Sequence, residues 1–273
     1  MLSVVIPSRN GARLLRRFLP PLLDDLGDLG EVVVVDDGSE DDTAAAVAEA
    51  GDGRVGLVRR SGPNGFCYAV NRGMEEAGGD LLLLLNNDVE PEPGALASLV
   101  DAAAAATPDV CALVPRILRP DGADEGGCSV RLRRGLPLVD LEGMGVPYPS
   151  GACSLFTRSS WERLGGLDYR FAPIYWEDVD LGLRARRMGM RVARVPGAAV
   201  RHQHAATMGQ SPDSLALRER NRLLLAAGSP LPDGWRLRFR LWLPVHVLMA
   251  RLAGNRPFLE GYREYRRLAE EGG

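Results

Sequence analysis

The first hundred residues alternate short apolar runs with longer helical patterns, and this alternation constrains the fold more than any other feature. The runs that predict strands cover residues 3–6, 31–35, 54–59 and 80–85. The stretches that predict helices cover residues 12–26, 43–50, 65–77 and 93 to about 106. This order predicts an α/β fold with an open, mostly parallel sheet, right-handed crossovers and helices on both faces.

Polar side chains follow three of the predicted strands at the point where each strand ends. They lie in residues 7–10, 36–39 and 86–88. Ligands of open α/β sheets bind beyond the carboxyl ends of the strands, so we expect Asp37 and Asp88 to face one crevice. Asp88 alone would indicate a turn or a helix N-cap. Together with Asp36 and Asp37, it favours a divalent cation or a ribose hydroxyl as the ligand.

The second half of the chain loses this alternation. Glycine and proline crowd residues 120–151, which predicts a loop-rich region able to fold over a ligand. Strands are predicted over residues 152–157, 190–195 and 198–202, and helices over about 160–164 and 178–188. The sequence shows no internal repeat, so the two halves are not copies of one unit.

A cluster of carboxylates in the second half follows Tyr175 and Trp176. It consists of Glu177, Asp178 and Asp180. Acidic residues are favourable at the start of a helix, but that does not explain the aromatic pair. A carboxylate beside Trp176 is partly desolvated, which raises its pKa toward the range of a general base. His202 and His204 end the last predicted strand and would be natural partners of a carboxylate–metal site.

Composition excludes several classes of protein. The 33 basic residues are all arginine, which excludes a Walker-type phosphate loop and Schiff-base chemistry, because both need lysine. The net charge of −3 argues against a nucleic-acid partner. The cysteines are scattered singly, so neither a zinc site nor a disulfide framework is expected, and a reducing cytoplasm fits best. Residues 1–7 are too short for a signal peptide.

The C-terminal region differs in charge from the rest of the chain. Residues 235–267 contain eight arginines and two glutamates, a net charge of +6. One interpretation is a helix that packs on the body with its arginines in solvent. The other is peripheral contact with an anionic membrane, in which Trp235, Phe239 and Trp242 enter the lipid. Pro244 predicts a bent or two-piece helix, and the apolar stretch 241–250 is too short to span a membrane.

A series of motifs over residues 3–204 resembles the family 2 glycosyltransferases. In the first half the motifs are VVIPSRN at 4–10, VVDDGS at 34–39, NGF at 64–66 with NRG at 71–73, and LLLNND at 83–88. In the second half they are GAC at 151–153, LGGLD at 164–168, WEDVDLGLR at 176–184 and VPGAAVRH at 195–202. The NND and WEDVDL-type motifs resemble in particular the rhamnosyl- and galactofuranosyltransferases of bacterial cell-surface polysaccharide synthesis.

This resemblance implies a GT-A fold with a nucleotide-sugar-binding half at residues 1–105, an acceptor and catalytic half at 106–210, and a basic helical tail at 211–273. It implies an inverting transfer of a sugar from a nucleoside-diphosphate sugar to a hydroxyl acceptor, either a cell-surface glycan or a lipid-linked saccharide. The implied cofactor is Mn²⁺ or Mg²⁺. The implied location is the cytoplasm, with peripheral contact at the inner face of the membrane through the tail.

The resemblance also implies roles for residues at matching positions. Those that would bind the donor are Pro7, Arg9, Asp36, Asp37, Asn64, Asn71, Asn87 and Asp88. Asp178 matches the catalytic base, with Glu177 beside it. Those that would contact the acceptor are Gly151, Trp176 and Asp180. Asp88 and His202 match the metal ligands.

Asn86 departs from the family pattern, because many members have aspartate there in a DxD motif. The change leaves one carboxylate fewer for the metal, and His202 would compensate. Two alternatives therefore stay open. One is a non-catalytic scaffold that has lost metal binding. The other is a sugar nucleotidyltransferase, which shares the Rossmann-like half but needs a glycine-rich basic loop after the first strand, and residues 7–11 do not supply one.

Overall fold

The computed structural model describes residues 1–140, 143–204, 211–228, 231 and 234–271. The strands of the first part are β1 (Leu2–Ser8), β2 (Gly30–Asp36), β3 (Val55–Arg59) and β4 (Leu81–Leu85). The helices there are α1 (Ala12–Leu26), α2 (Thr43–Glu49), α3 (Phe66–Glu76) and α4 (Ala95–Ala104). β1 pairs in parallel with β2 and β4, and β2 pairs in parallel with β3. The parallel sheet predicted for this part is confirmed.

The later strands extend this sheet and add a second one. They are β5 (Val89–Pro91), β6 (Val110–Leu118), β7 (Ser129–Arg133), β8 (Leu136–Asp140), β9 (Val146–Pro147), β10 (Cys153–Thr157) and β11 (Arg191–His202). The large sheet has the order β3-β2-β1-β4-β10-β6-β11-β5. Two strands were predicted over 190–195 and 198–202, but they form the single strand β11. Its pairing with β6 shifts register between Val195 and Ala199, where a proline and a glycine interrupt the pattern.

The prediction of a loop-rich region over residues 120–151 is wrong for three segments that form strands. β7, β8 and β9 form a three-stranded antiparallel sheet there. β7 and β8 are joined by Arg134 and Gly135, which both have positive φ, 47° and 80°. Such a two-residue turn fits the twist of a hairpin. The strands were missed because each is only two to five residues long and lies among glycines and prolines.

Five α-helices are formed by the described residues of the second half and the tail. They are α5 (Arg158–Leu164), α6 (Glu177–Arg187), α7 (Pro212–Ala227), α8 (Trp235–Leu252) and α9 (Arg256–Glu271). The predicted division into two helices at Pro244 is wrong, because α8 continues through that residue. Pro244 is exposed, so water can reach the carbonyl group that loses its helical partner.

The two faces of the large sheet are both covered. Val4 and Ile6 of β1 join one buried cluster with α1 and α4, and Val5 between them joins a second cluster with α3 and α6. Alternate residues of a strand point to opposite faces, so β1 contributes to both cores. The predicted arrangement of helices on both faces is confirmed.

The tail orients its aromatic side chains differently from the membrane interpretation. Trp235 and Phe239 are buried against the body and α9, and of the three expected aromatics only Trp242 is exposed. The exposed face of α8 is formed instead by aliphatic residues, among them Leu237, Leu241, Leu248 and Leu252. Among the described residues, no helix combines the length and apolarity needed to cross a membrane.

Candidate active site

A first cavity of about 480 Å³ lies beyond the carboxyl ends of β1, β2 and β4. The residues expected to bind the donor that line it are Pro7, Arg9, Asp37, Asn87 and Asp88. The parallel register that pairs Ser8 with Asp36 brings the ends of β1 and β2 to the same edge. The expectation that Asp37 and Asp88 face one crevice is therefore confirmed.

Asp37 is buried in the wall of this cavity. Its Oδ2 accepts a hydrogen bond of 2.6 Å from the N–H of Gly65, and its Oδ1 lies 3.4 Å from Nε of Arg60. Burial raises the pKa of Asp37, although Gly65 and Arg60 act in the opposite direction. Gly65 has a φ of 152°, and a Cβ atom there would lie 2.8 Å from Cα of Pro173. Only glycine therefore allows the backbone of residue 65 to lie this close to Pro173.

Three residues expected at the donor do not line the first cavity. Asp36 Oδ1 accepts a hydrogen bond from the N–H of Ser39, at 2.9 Å, and so closes the turn after β2. Asn71 is buried and exchanges two hydrogen bonds of 2.8 Å with the backbone of Leu167. Asn64 lies beside the backbone of Gly38. These side chains contact backbone next to the cavity, and their direct contact with a donor stays a prediction.

Strand pairing brings Asp88 and His202 together. Asp88 lies between β4 and β5, and β5 pairs with β11 so that Val89 is opposite His202. The N–H of Gln203 donates to the backbone oxygen of Asp88 at 3.1 Å. As a result, Nε2 of His202 lies 3.4 Å from Oδ1 of Asp88.

Glu125 completes this cluster, and sequence reasoning missed it. Its Oε1 lies 2.6 Å from Nδ1 of His202, and its Oε2 lies 3.1 Å from Nε2 of His204. Burial alone would lower the pKa of His202, but its hydrogen bonds with Asp88 and Glu125 raise it to about 9. The only signal for Glu125 in the sequence is an acidic pair between glycines in the loop after β6.

The donor set of this cluster suits a divalent cation. One ligand atom from each of Glu125, His202 and His204 lies within 4.8 Å of the others, and Asp88 adds a carboxylate on the far side of His202. Carboxylate oxygen with imidazole nitrogen is a set that Mn²⁺ accepts. The residues present therefore fit the implied metal, even though Asn86 replaces a carboxylate.

A second cavity of about 1130 Å³ adjoins the first, and His202, His204 and Tyr175 are among the residues that line both. Its wall contains the predicted base and three of its predicted neighbours, namely Asp178, Glu177, Gly151 and Trp176. The structure therefore places the candidate base in the second cavity and Asp88 in the first, with His202 in the wall between them.

Asp178 accepts hydrogen bonds from backbone N–H groups but has no positively charged side chain at contact distance among the described residues. Its Oδ1 accepts from the N–H of Val179 at 2.7 Å, and its Oδ2 accepts from the N–H of Gly151 at 3.4 Å. Within the part of the chain that the structure describes, no arginine or histidine forms an ion pair with it. Burial raises the pKa of Asp178 to about 6, while these hydrogen bonds and the charge of Arg218 oppose the rise. The group can therefore be ionised at neutral pH and still accept a proton.

Glu177 is buried directly beside Asp178. Its Oε2 has no hydrogen-bond partner among the described residues. Burial, and next the charge of Asp178, raise the pKa of Glu177 well above its usual range. Of the two neighbours, Asp178 is therefore the one that ionises first and can act as a base.

Asp180 does not line the second cavity, so its expected contact with the acceptor stays a prediction without support from the cavity. It lies one helical position beyond Val179, is 1% exposed, and forms an ion pair of 2.7 Å with Arg184 on the same helix. Arg184 also donates to the backbone oxygen of Gly166 at 2.7 Å. Asp180 thus anchors α6 to the loop after α5.

The residues before α6 are held in a strained conformation by α7. Tyr175 and Trp176 have φ values of 86° and 73°, a region that residues other than glycine rarely adopt. Asn221 of α7 is fully buried and donates to the backbone oxygens of Phe171, Ile174 and Tyr175 at 2.7 to 3.0 Å. Sequence reasoning missed Asn221, since nothing in its surroundings indicates a partner about 50 residues away.

Comparison with known sequences gives two kinds of match. The family described as "Glycosyl transferase family 2" matches residues 3–165. An N-acetylglucosaminyl-diphospho-decaprenol L-rhamnosyltransferase of Mycobacterium tuberculosis is 30% identical over 80% of this chain and 83% of its own length. The succinoglycan biosynthesis protein ExoU of Rhizobium meliloti is 29% identical over 82% of this chain and 69% of its own length.

Comparison with solved structures agrees on the fold. A mannosyltransferase from Pyrobaculum calidifontis, solved with GDP-Man and Mn²⁺, superimposes with a TM-score of 0.62 at 21% identity. The match covers all of this chain and 75% of the other. At this identity the likeness concerns the fold, which is the predicted GT-A arrangement.

Proposed function

Because the chain belongs to glycosyltransferase family 2, we propose that it moves a sugar from a nucleoside-diphosphate donor to an acceptor hydroxyl with inversion at the anomeric carbon. The donor would occupy the first cavity and the acceptor the second. The observation that carries this proposal is the shared wall at His202, which has Asp88 on the side of the first cavity and Asp178 in the wall of the second.

The first cavity supplies groups for a nucleoside diphosphate. Arg9 offers a positive charge for phosphate, and the buried carboxylate of Asp37 offers an acceptor for a base N–H or a ribose hydroxyl. Asp88 and His202 would hold a divalent cation. That cation would neutralise the charge that develops on the departing diphosphate.

The second cavity supplies the base. Asp178 would take the proton of the acceptor hydroxyl as the acceptor oxygen forms its bond to the anomeric carbon. The bond from that carbon to the diphosphate oxygen breaks at the same time, and the diphosphate leaves with the bonding electrons. Inversion follows because attack and departure occur on opposite faces of the sugar. Asp178 then loses its proton to solvent.

The acceptor we propose is a lipid-linked saccharide. One relative is named for its action on N-acetylglucosaminyl-diphospho-decaprenol. In this chain, Arg218 and Arg222 line the second cavity and could meet acceptor phosphates. The guanidinium carbon of Arg218 lies 4.9 Å above the ring of Tyr175, and Arg218 has no acidic partner among the described residues.

Helix α8 supports peripheral contact with the inner face of a membrane. Leu237, Leu241, Leu248 and Leu252 recur at helical spacing and are 56% to 75% exposed. The exposed arginines of the same helix at 238, 240 and 251 have no ion-pair partner in the described part of the chain. An apolar face flanked by unpaired positive charge suits an anionic lipid surface.

Cosedimentation with vesicles tests this contact. We expect wild-type protein to sediment with phosphatidylglycerol vesicles at low salt and much less with phosphatidylcholine vesicles. The double variant Leu241→Glu/Leu248→Glu should stay in the supernatant. Met188→Glu is the matched control, since Met188 is 49% exposed at the end of α6. Equal sedimentation of the double variant and the control would contradict the contact.

A transfer assay tests the chemistry. Wild-type protein would be incubated with Mn²⁺, a lipid-linked saccharide and, in turn, dTDP-, UDP- and GDP-sugars, and the anomeric configuration of the product would be read by NMR. We expect one donor class to be used with inversion. Asp88→Ala should lose metal-dependent nucleotide binding by calorimetry. Failure of wild-type protein to bind any nucleoside diphosphate with Mn²⁺ would favour the non-catalytic scaffold.

A further inference from the structure

We propose that Glu125 is a positioning residue that fixes the ring of His202, so that Nε2 faces Asp88 and the divalent cation between them. This inference rests on the metal-dependent function proposed above. It concerns the orientation of a ligand by a residue that the family motifs do not include.

The ring of His202 lies between two carboxylates. Nδ1 is 2.6 Å from Oε1 of Glu125, and Nε2 is 3.4 Å from Oδ1 of Asp88. The two nitrogens of an imidazole point in different directions, so a hydrogen bond from Nδ1 to Glu125 leaves Nε2 directed at Asp88. Histidines that bind metals commonly donate their other N–H to a carboxylate in this way, which fixes the ring and makes the ligand nitrogen more basic.

The location of Glu125 favours orientation over direct ligation. Asp88 lines the first cavity, Glu125 lines the second, and His202 lines both. A cation held by Asp88 and Nε2 of His202 would be separated from Glu125 by the imidazole ring. Glu125 also spans His202 and His204, whose ring centroids lie 3.9 Å apart, and so fixes their mutual position.

The backbone of Glu125 is itself well fixed. Its N–H donates to the backbone oxygen of Ile117 at 2.9 Å. The adjacent Asp124 accepts from the N–H groups of Ile117 and Gly126, both at 3.0 Å, and from Arg194 at 2.8 Å. A Cβ atom at Gly126 would lie 2.3 Å from the backbone oxygen of Pro115, so the loop packs tightly on β6. A rigid loop is what a positioning residue needs.

Binding of Mn²⁺ to the full chain, followed by EPR of the free ion with and without a nucleoside diphosphate, tests the inference without an activity readout. We expect Glu125→Ala to weaken Mn²⁺ binding by about 10- to 100-fold. Glu125→Gln should stay close to wild type, because its amide oxygen can still accept from Nδ1. His202→Ala gives the value for a lost ligand.

Glu92→Gln is the matched control, since Glu92 forms an ion pair with Arg201 next to His202 but lines neither cavity. Thermal melting would confirm that each variant is folded. Wild-type affinity in Glu125→Ala would overturn this inference alone. Equal losses in Glu125→Gln and Glu125→Ala would also overturn it, because Glu125 would then be a ligand itself. A wild-type chain that binds no Mn²⁺ would overturn the metal-dependent function together with the inference.

Discussion

The two cavities are built from different kinds of structure. The first lies at the ends of β1, β2 and β4, where parallel pairing brings three loops to one edge. The second is enclosed by the hairpin strand β8, by the strained residues Tyr175 and Trp176 that precede α6, and by α7. The first therefore depends on the sheet, whereas the second depends on side-chain contacts between elements that are distant in sequence.

The carboxylates proposed for the donor site and the pair at the proposed base differ in how their charges are balanced. Asp37 faces Arg60, and Asp88 faces His202. Asp178 and Glu177 have no ion-pair partner among the described residues, and burial raises the pKa of both. Balanced carboxylates suit the binding of a charged ligand, while an unbalanced one suits proton transfer. The difference indicates that binding and proton removal can be changed separately.

Replacing Asp178 with asparagine should distinguish the function of the second cavity from that of the first most clearly. We expect transfer to fall by about 10²- to 10⁴-fold, because the general base is lost. Binding of nucleoside diphosphate and Mn²⁺ should survive, since the first cavity is untouched. Initial rates and calorimetric titration would measure the two effects. Near-normal turnover would move the role of base to Glu177 and contradict the assignment.

The pH dependence of sugar transfer should be determined by Asp178 in the second cavity. With the pKa of Asp178 raised to about 6, kcat/KM should rise with pH and level off above that value. The carboxyl holds its proton more tightly when folded, so its contribution to the free energy of unfolding should decrease as pH rises from about 4 to about 6. Asp178→Asn should remove that decrease. Denaturant titrations across this range would show it, and a pH-independent kcat/KM would argue against the base.

Substitution of Asn221 tests whether α7 fixes the loop that precedes α6. Asn221→Leu removes hydrogen bonds to three backbone oxygens and should lower the free energy of unfolding by about 1–3 kcal/mol. Transfer should fall roughly ten- to hundredfold through displacement of the base. Asn255→Leu is a useful control, because Asn255 caps the start of α9 away from both cavities. Equal kcat in the two variants would show that the loop is held by other contacts.

Asp180→Asn should have the smallest effect on catalysis. Asp180 pairs with Arg184 and does not line the second cavity, so transfer per folded molecule should stay close to wild type. The free energy of unfolding should fall by roughly 1–3 kcal/mol, because a buried ion pair is weakened. Rates normalised to the folded fraction would distinguish this variant from Asp178→Asn. A large loss of turnover in folded protein would place Asp180 in the machinery after all.

The sequence predicted the first cavity well because its residues are fixed by local pattern. Apolar runs mark β1, β2 and β4, and the polar residues that end them must meet at one edge of a parallel sheet. Within those loops, local pattern did not separate ligands from turn residues. Asp36 and Asp37 look alike in sequence, yet Asp36 closes a turn and Asp37 faces the cavity.

The second cavity was predicted only in part, because its geometry depends on long-range contacts. Glu125 and His202 form a contact although they are 77 positions apart in the sequence. Asn221 binds backbone oxygens of the loop before α6 that are 46 to 50 positions away. The spacing of apolar residues along the chain does not indicate contacts between residues so far apart. The role of Asp180 was within reach, since an aspartate four positions before an arginine on a helix predicts an ion pair.

The position of β10 has a consequence for how the chain is made. β10 lies between β4 and β6, so the open edge of β4, with its five leucines, has no neighbour until residue 157 has been synthesised. During translation the first 105 residues therefore leave the ribosome with one edge of this apolar strand unpaired, a form prone to aggregation. A fragment that stops at residue 105 would keep that edge permanently. Residues 1–105 and the strands that follow them can complete the large sheet only together.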